Sequence, residues 1–319
     1  MPTFLVTGGA GFIGSHIAEA LVKRGDTVRV LDNLSTGNIA NMESFRGKID
    51  FMEADLLDEQ ALKQAVRGVD CIFHQAALAS VPRSVERPLD THAACVTGTV
   101  NLLDAARRAG VRRLVYAASS SAYGNLPYAS KREIDLPGPL SPYAAAKLAA
   151  EYYCQAFAAT YGIETVAIRY FNVFGPRQDP DSPYSAVIPL FITAMLKGEQ
   201  PTVYGDGKQS RDFTFVSNVV QGNLLAAGTP GIGGRVFNIA NGRSTDLLTL
   251  IDMLNRLLGT NIQPKFAPPR IGDVKESLAD INGARRELGY EPQYDFEEGL
   301  RRSIDYYRSL TMLGTSSLV

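Results

Sequence analysis

No stretch of the 319-residue chain is apolar for long enough to span a bilayer. The greasiest late run, LLTLIDMLNRLLG, is too short for that and carries Asp252, Asn255 and Arg256, so it reads as an amphipathic core helix. Charge of either sign is not in excess: 32 Lys and Arg stand against 33 Asp and Glu, for a formal net charge of −1. That balance argues against a nucleic-acid or membrane-surface binder. Cysteine is scarce. Cys71, Cys95 and Cys154 are isolated, without CxxC or metal-ligand spacing, which points to small buried side chains in a reducing compartment and to no metal site. No cleavable signal is expected, because Met1-Pro2-Thr3 runs directly into an apolar strand, and a cytoplasmic location follows. Internal repeats and low-complexity tracts are missing too; only the closing GTSSLV reads as a loose tail.

What is present is a regular alternation. Short β-branched runs (TFLVTG, TVRVLD, IDFMEAD, CIFHQA, RLVYAAS, ETVAIRY) are separated by helical patterns such as GSHIAEALVKRG, EQALKQAVRG, GTVNLLDAARRAG and SPYAAAKLAAEYYCQAFAATYG. This rhythm predicts an α/β fold, a doubly wound parallel sheet covered on both faces. After about Asn172 it gives way to Pro- and Gly-containing loops with shorter elements, which marks a second, smaller, interleaved lobe.

The first strand runs into a glycine cluster. FLVTGGAGFIGSH satisfies Gly9-x-Gly11-x-x-Gly14 and the wider Gly8-x-x-Gly11-x-x-Gly14. Placed between a strand and a helix, such glycines allow a tight turn, let backbone approach a pyrophosphate, and aim the helix N-terminus at negative charge. Asp32 ends the second strand, 18 residues after Gly14, close to the spacing of a carboxylate that accepts hydrogen bonds from ribose hydroxyls. No Arg or Lys follows immediately to hold a 2′-phosphate, so NAD is favoured over NADP. Asp55, in EADLLD, suits either an adenine contact or a helix N-cap.

The fifth strand ends in AASSSAYG, and strand C-terminal ends are where doubly wound folds bind ligands. Ser119, Ser120 and Ser121 are therefore expected near the cofactor. On the next helical pattern, SPYAAAK sets Tyr143 and Lys147 one turn apart on one face. A phenol titrates near 10, and a neighbouring ammonium with a positive nicotinamide would favour its phenolate. A Ser hydroxyl bridging Tyr and a substrate hydroxyl completes a constellation for alcohol–ketone redox chemistry. PYASK offers a rival pair, Tyr128 and Lys131, but Pro127 and its loop composition suit a catalytic helix poorly.

The glycine turn, the Ser run and Tyr143-x-x-x-Lys147 resemble the extended short-chain dehydrogenase/reductase family. With RYFNVFGPRQDP and RIGDVKESLAD they resemble its UDP-hexose 4-epimerases over nearly the whole chain. The resemblance implies a Rossmann-type NAD domain over residues 1–172, rejoined by 212–242, and a UDP-sugar lobe over 173–211 and 243–313. It implies bound NAD held by Gly8, Gly11, Phe12, Ile13, Gly14, Asp32, Asn33, Asp55, Leu56, Gln75, Ala77 and Lys147. Tyr143, Lys147 and Ser119 become catalytic, although the Ser run leaves open which of the three serines serves. Ser80, Ser120, Ser121, Asn172, Arg211, Arg270, Asp273 and Ser277 become substrate contacts, with Asn172 and the two arginines on the diphosphate, Asp273 on the uridine ribose and Ser277 on the sugar-pocket wall; a turn cap is the plain alternative for Ser277.

Small Ser277, where enzymes restricted to plain hexoses carry Tyr, implies that N-acetylated UDP-hexoses are accepted along with UDP-glucose and UDP-galactose. A homodimer through two helices per subunit is implied as well. The chain departs from the family's pattern at Cys95, where Asn is common near the cofactor. A UDP-glucuronate 4-epimerase, a UDP-sugar dehydratase or decarboxylase, and a non-catalytic dinucleotide sensor are the competing readings. No acidic residue lies between Ser119 and Tyr123 for elimination chemistry, and Tyr143, Lys147 and the serines are all retained, unlike in many sensors.

Overall fold

The computed structural model describes residues 1–180, 186–269 and 275–315, with only the backbone of 311–315. Its centre is a seven-stranded sheet of β1 (Thr3–Thr7), β2 (Thr27–Asp32), β3 (Asp50–Glu53), β4 (Cys71–His74), β5 (Arg113–Ser119), β6 (Glu164–Tyr170) and β7 (Val236–Ile239). The order across the sheet is β7-β6-β5-β4-β1-β2-β3, and every pairing is parallel. The strand order reverses between β1 and β4, and a crevice opens there at the C-terminal strand ends. Alternation sorts the side chains. Phe4, Val6, Phe73 and Val115 join one core cluster, while Leu5, Ile72, Leu114 and Tyr116 join the cluster on the opposite face.

Two helices position the crevice. Helix α1 (Phe12–Arg24) starts directly from the glycine turn and ends on Gly25 in the left-handed region. Helix α2 (Pro142–Tyr161) is fixed at both ends by its sequence. Ser141 caps it by accepting from the Ala144 amide at 3.1 Å, Pro142 occupies its first turn, and Gly162 at φ 73° closes it. The segment after Asn172 supplies helix α3 (Val216–Gly228), which packs on α1, and then β7, which extends the main sheet beside β6. A third apolar cluster, including Phe174, Phe191, Phe213, Phe215, Leu250, Leu254 and Leu300, forms the smaller lobe's core and meets Phe12 and Ile13 of α1. A four-stranded sheet ties Ser130–Lys131, Ser210–Arg211, Thr245–Asp246 and Glu276–Ala279 together.

The strand and helix patterns named from sequence all form, with ends shifted by a few residues. Helices Val81–Glu86 and Pro88–His92 and the π-turn Ala93–Thr97 were not among them, because Pro82 and Pro88 break any long period. Helix α4 (Phe296–Thr315) takes in Gly314 and Thr315, the first two residues of the expected tail, and the rest of that tail lies outside the described residues. It begins where Asp295 accepts from the Glu298 amide and buries Leu300, Ser303, Ile304 and Tyr307, a helical stripe.

Candidate active site

The glycine turn is built by close approach. Gly8 has φ 68°, and a Cβ there would lie 2.6 Å from the Ala76 amide nitrogen. One at Gly14 would lie 2.1 Å from the Gly8 carbonyl oxygen, so α1 can meet the turn only with hydrogen at that position. Gly11 caps α1 with extended backbone and no side-chain acceptor, so the first-turn N–H groups are available to a ligand anion. Asp32 is buried at the end of β2. Its carboxylate accepts from the Ala10 amide at 2.9 Å and the Leu34 amide at 2.8 Å, while burial raises its pKa against those two bonds.

These groups line one cavity of about 540 Å³. Gly8, Gly11, Phe12, Ile13, Gly14, Asp32, Asn33, Asp55, Leu56, Gln75, Ala77 and Lys147 all border it, and so does Tyr143. The N-cap alternative for Asp55 is corrected, because Asp58 caps the helix Glu59–Ala65; Asp55 accepts from the Leu57 amide and, at 2.6 Å, from the Asn33 side chain. A dinucleotide fits this donor set: an uncapped helix end for a diphosphate, a buried carboxylate for ribose hydroxyls, and a volume within the usual range of cofactor sites. Arg83 and Tyr170 also line the cavity and were missed from sequence. The signal for Arg83 was its place in the loop and helix that follow β4, where strand ends face the ligand.

Tyr143 and Lys147 enter from α2. Lys147 is buried, and its Nζ lies 4.5 Å from the centroid of the Tyr116 ring, whose hydroxyl donates to the Lys147 carbonyl oxygen at 3.2 Å. Burial lowers the Lys147 pKa, opposed by the negative forms of Cys95, Cys154 and Glu151 nearby. Tyr143 shares a hydrogen bond with Ser119. In the chain by itself burial pushes Tyr143 well above its usual value, Cys95 adds to the rise and the Ser119 bond opposes it; the phenolate expected from Lys147 together with a positive nicotinamide belongs to the loaded site. Ser119 Oγ also lies 2.8 Å from Ser121 Oγ and accepts from the Ser121 amide, so of the three serines it is the one tied to Tyr143. Ser80 caps helix Val81–Glu86 through its hydroxyl. The rival Lys131 is spent on the carbonyls of Leu126 and Tyr128. Cys95 sits buried in the π-turn, its carbonyl accepting from Thr99 at 2.7 Å.

A second cavity of about 250 Å³ opens two residues beyond Tyr170. Asn172 and Arg211 line it with Phe174, Tyr204, Gln209 and Phe213. Asn172 holds φ 34° and donates to the Asp212 carbonyl oxygen at 3.3 Å. Ser277 is not a turn cap, the plain alternative; it lies in strand Glu276–Ala279, in register with Arg211, so the two side chains share a sheet face. Arg270 and Asp273 lie outside the described residues. Among the described residues no cluster of His, Cys, Asp or Glu could hold a metal ion, and no helix is long and apolar enough to cross a membrane.

Comparison with known proteins agrees with this architecture. The family model described as the NAD dependent epimerase/dehydratase family matches residues 4–240. The UDP-glucose 4-epimerase of Mycolicibacterium smegmatis is 38% identical over 309 residues, covering 96% of this chain and 98% of that protein. Among solved structures, a UDP-N-acetylglucosamine 4-epimerase from Methanobrevibacter ruminantium, in complex with UDP-N-acetylmuramic acid, superposes with a TM-score of 0.93 at 40% identity, covering 97% of this chain and 99% of that one. A UDP-glucose 4-epimerase from Thermotoga maritima, with UDP-glucose, gives 0.92 at 37% identity, with the same coverage of both chains.

Proposed function

The chain belongs to the NAD dependent epimerase/dehydratase family, and from that premise we propose that it is an NAD-dependent isomerase that inverts carbon 4 of UDP-hexoses. The observation that carries the reading is the meeting of Tyr143 and Lys147, one turn apart on α2, with the glycine turn and Asp32 around a single cavity.

When bound, NAD supplies an acceptor that takes a hydride and gives the same hydride back, so the reaction consumes no cofactor. The side chains manage protons and position. Tyr143 takes the proton of the sugar's 4-hydroxyl as the carbon becomes a ketone and returns it when the alcohol re-forms. Ser119, already bonded to Tyr143, bridges the phenol and the substrate oxygen. Lys147 lends positive charge to the phenolate from the next turn of the helix. Inversion requires the hexose to present its other face between the two half-reactions. Asn172 and Arg211 support this by gripping the diphosphate from the second cavity, which leaves the sugar free to turn about its phosphate linkage.

The substrate range in this reading is UDP-N-acetylglucosamine and UDP-N-acetylgalactosamine together with UDP-glucose and UDP-galactose. The small Ser277 on the face shared with Arg211 supports it, because an acetamido group needs room that a Tyr ring would fill. An activity panel over these sugars, with products resolved by stereochemistry, tests both the reaction and the range. Ser277→Tyr should abolish turnover of the acetylated pair and spare the plain one. Equal turnover of both pairs by that variant would show that the wall of the sugar pocket lies elsewhere.

A cytoplasmic homodimer completes the proposal. Val85, Leu89, Tyr152 and Tyr153 are exposed on helices Val81–Glu86, Pro88–His92 and α2, an apolar surface suited to a second copy. Sedimentation equilibrium measures the state directly.

A further inference from the structure

Behind the Tyr143–Lys147 face lies a buried ion pair. Glu151 is one turn beyond Lys147 on α2, as Lys147 is one turn beyond Tyr143, so the three share a face. Arg169 of β6 grips Glu151 in a fork, Nε to Oε2 at 2.9 Å and Nη2 to Oε1 at 2.6 Å, and both residues are almost fully shielded from solvent. The guanidinium carbon also lies 4.6 Å from the centroid of the Tyr123 ring. Tyr123 ends the short turn Ser120–Tyr123, which Ser119 caps, and its hydroxyl donates to Asn238 at 2.7 Å. Since Ser119 bonds Tyr143, the contacts close into a ring: Tyr143, Ser119, Tyr123, Arg169, Glu151 and back along α2.

Buried pairs of this kind add little net stability, because desolvation offsets their attraction. Here the pair has a second consequence. Lys147 is faced by Tyr116 of β5, Cys95 of the π-turn, Cys154, Glu151 and Tyr143 of its own helix, and His74 of β4. Burial holds Tyr116 and Cys154 protonated and pushes His74 down to about 3, hence neutral. Glu151 is the carboxylate among these groups, and the Arg169 fork holds it.

We infer that Glu151 and Arg169 are positioning residues of the proposed reaction, a buried ion pair that registers the Tyr143 helix against the Ser119 turn and sets the charge felt by Lys147. The inference rests on the reading of Tyr143 and Lys147 as the acid–base couple. Glu151→Gln keeps shape and removes charge, leaving Arg169 uncompensated. Added positive potential favours the phenolate of Tyr143 and the neutral amine of Lys147. Both limbs of the kcat–pH profile should then move to lower pH by roughly half a unit or more, with turnover at neutral pH down about tenfold and KM little changed. Arg169→Lys keeps the charge but not the fork, and should lower kcat with the limbs in place. The double variant Glu151→Gln, Arg169→Met replaces the pair by neutral groups, a change that buried pairs commonly tolerate, and covers the case in which Glu151→Gln does not fold. It should show limbs near the wild-type positions and low turnover. Unmoved limbs in folded Glu151→Gln, or wild-type turnover in the double variant, would overturn the inference. A wild type that epimerises no UDP-hexose sinks the reaction instead; the pair is then tested by the tyrosinate absorbance that Tyr143→Phe removes, which must titrate lower in Glu151→Gln.

Discussion

Tyr143 carries the proton in the proposed reaction, yet its surroundings hold the phenol protonated, since burial outweighs the bond from Ser119. The chain by itself thus supplies position rather than a ready base, and the positive charge of Lys147, joined by that of an oxidised nicotinamide when one is bound, would favour release of the proton. Tyr143→Phe keeps the packing and removes the hydroxyl. Turnover should fall by about 10² or more, the scale of a lost positioned acid–base group, while the thermal unfolding midpoint stays put. Near-wild-type turnover in a folded Tyr143→Phe protein would remove Tyr143 from the mechanism.

At the scale of elements, the turn from β1 into α1 is the most constrained segment. Gly14 is required by the Gly8 carbonyl that faces it, and Gly8 by both its positive φ and the Ala76 backbone. Gly14→Ala inserts a Cβ where backbone already stands, so the helix must shift away from the turn. We expect a stability loss of about 1–3 kcal/mol, typical of overpacking, together with loss of NAD from the purified protein. Calorimetry with an absorbance ratio for bound cofactor measures both. Unchanged NAD content would mean that the helix end does not hold the dinucleotide. Such strictly local requirements were legible in the sequence because three glycines between a strand and a helix have few other uses. The helices between Val81 and His92 were not legible. They are short and proline-broken, and they exist because α2 offers them a surface to pack on.

Across the whole molecule, α1 is clasped to the chain that leads into the second lobe. Arg177 pairs with Glu19, and His16 Nε2 donates to the Pro176 carbonyl at 2.9 Å. Burial, with Arg177 nearby, depresses the His16 pKa to about 4. The unfolded chain therefore takes up a proton near pH 6.5 that the folded one refuses, so the His16 contribution falls as pH drops through the window from 6.5 to about 4. Relative to wild type, His16→Asn should regain up to about 2 kcal/mol at pH 5 compared with its difference at pH 8, read from denaturant midpoints. A pH-independent difference would show that His16 is not held neutral. The division of labour between cavities gives a further prediction. Arg211→Ala should weaken UDP-sugar binding by roughly 1.5–3 kcal/mol, the value of a charge-assisted contact, and leave NAD retention unchanged. Titration calorimetry with UDP-glucose decides it; release of NAD instead would place Arg211 on the cofactor.

The sequence by itself determined the parallel α/β class, the glycine turn, Asp32 at the end of β2 and the one-turn spacing of Tyr143 and Lys147. Each of these follows from periodicity or from covalent neighbours, which are local properties. Tertiary structure decided which groups converge from distant positions. Ser277 meets Arg211 only because Ser210–Arg211 pairs with Glu276–Ala279, and Asn172 meets Arg211 at the second cavity beyond the end of β6. Glu151 finds Arg169 through the packing of α2 on β6. Burial also holds the Tyr143 phenol high in the chain by itself, because desolvation is set by everything packed around a side chain, and no short stretch of sequence encodes that sum.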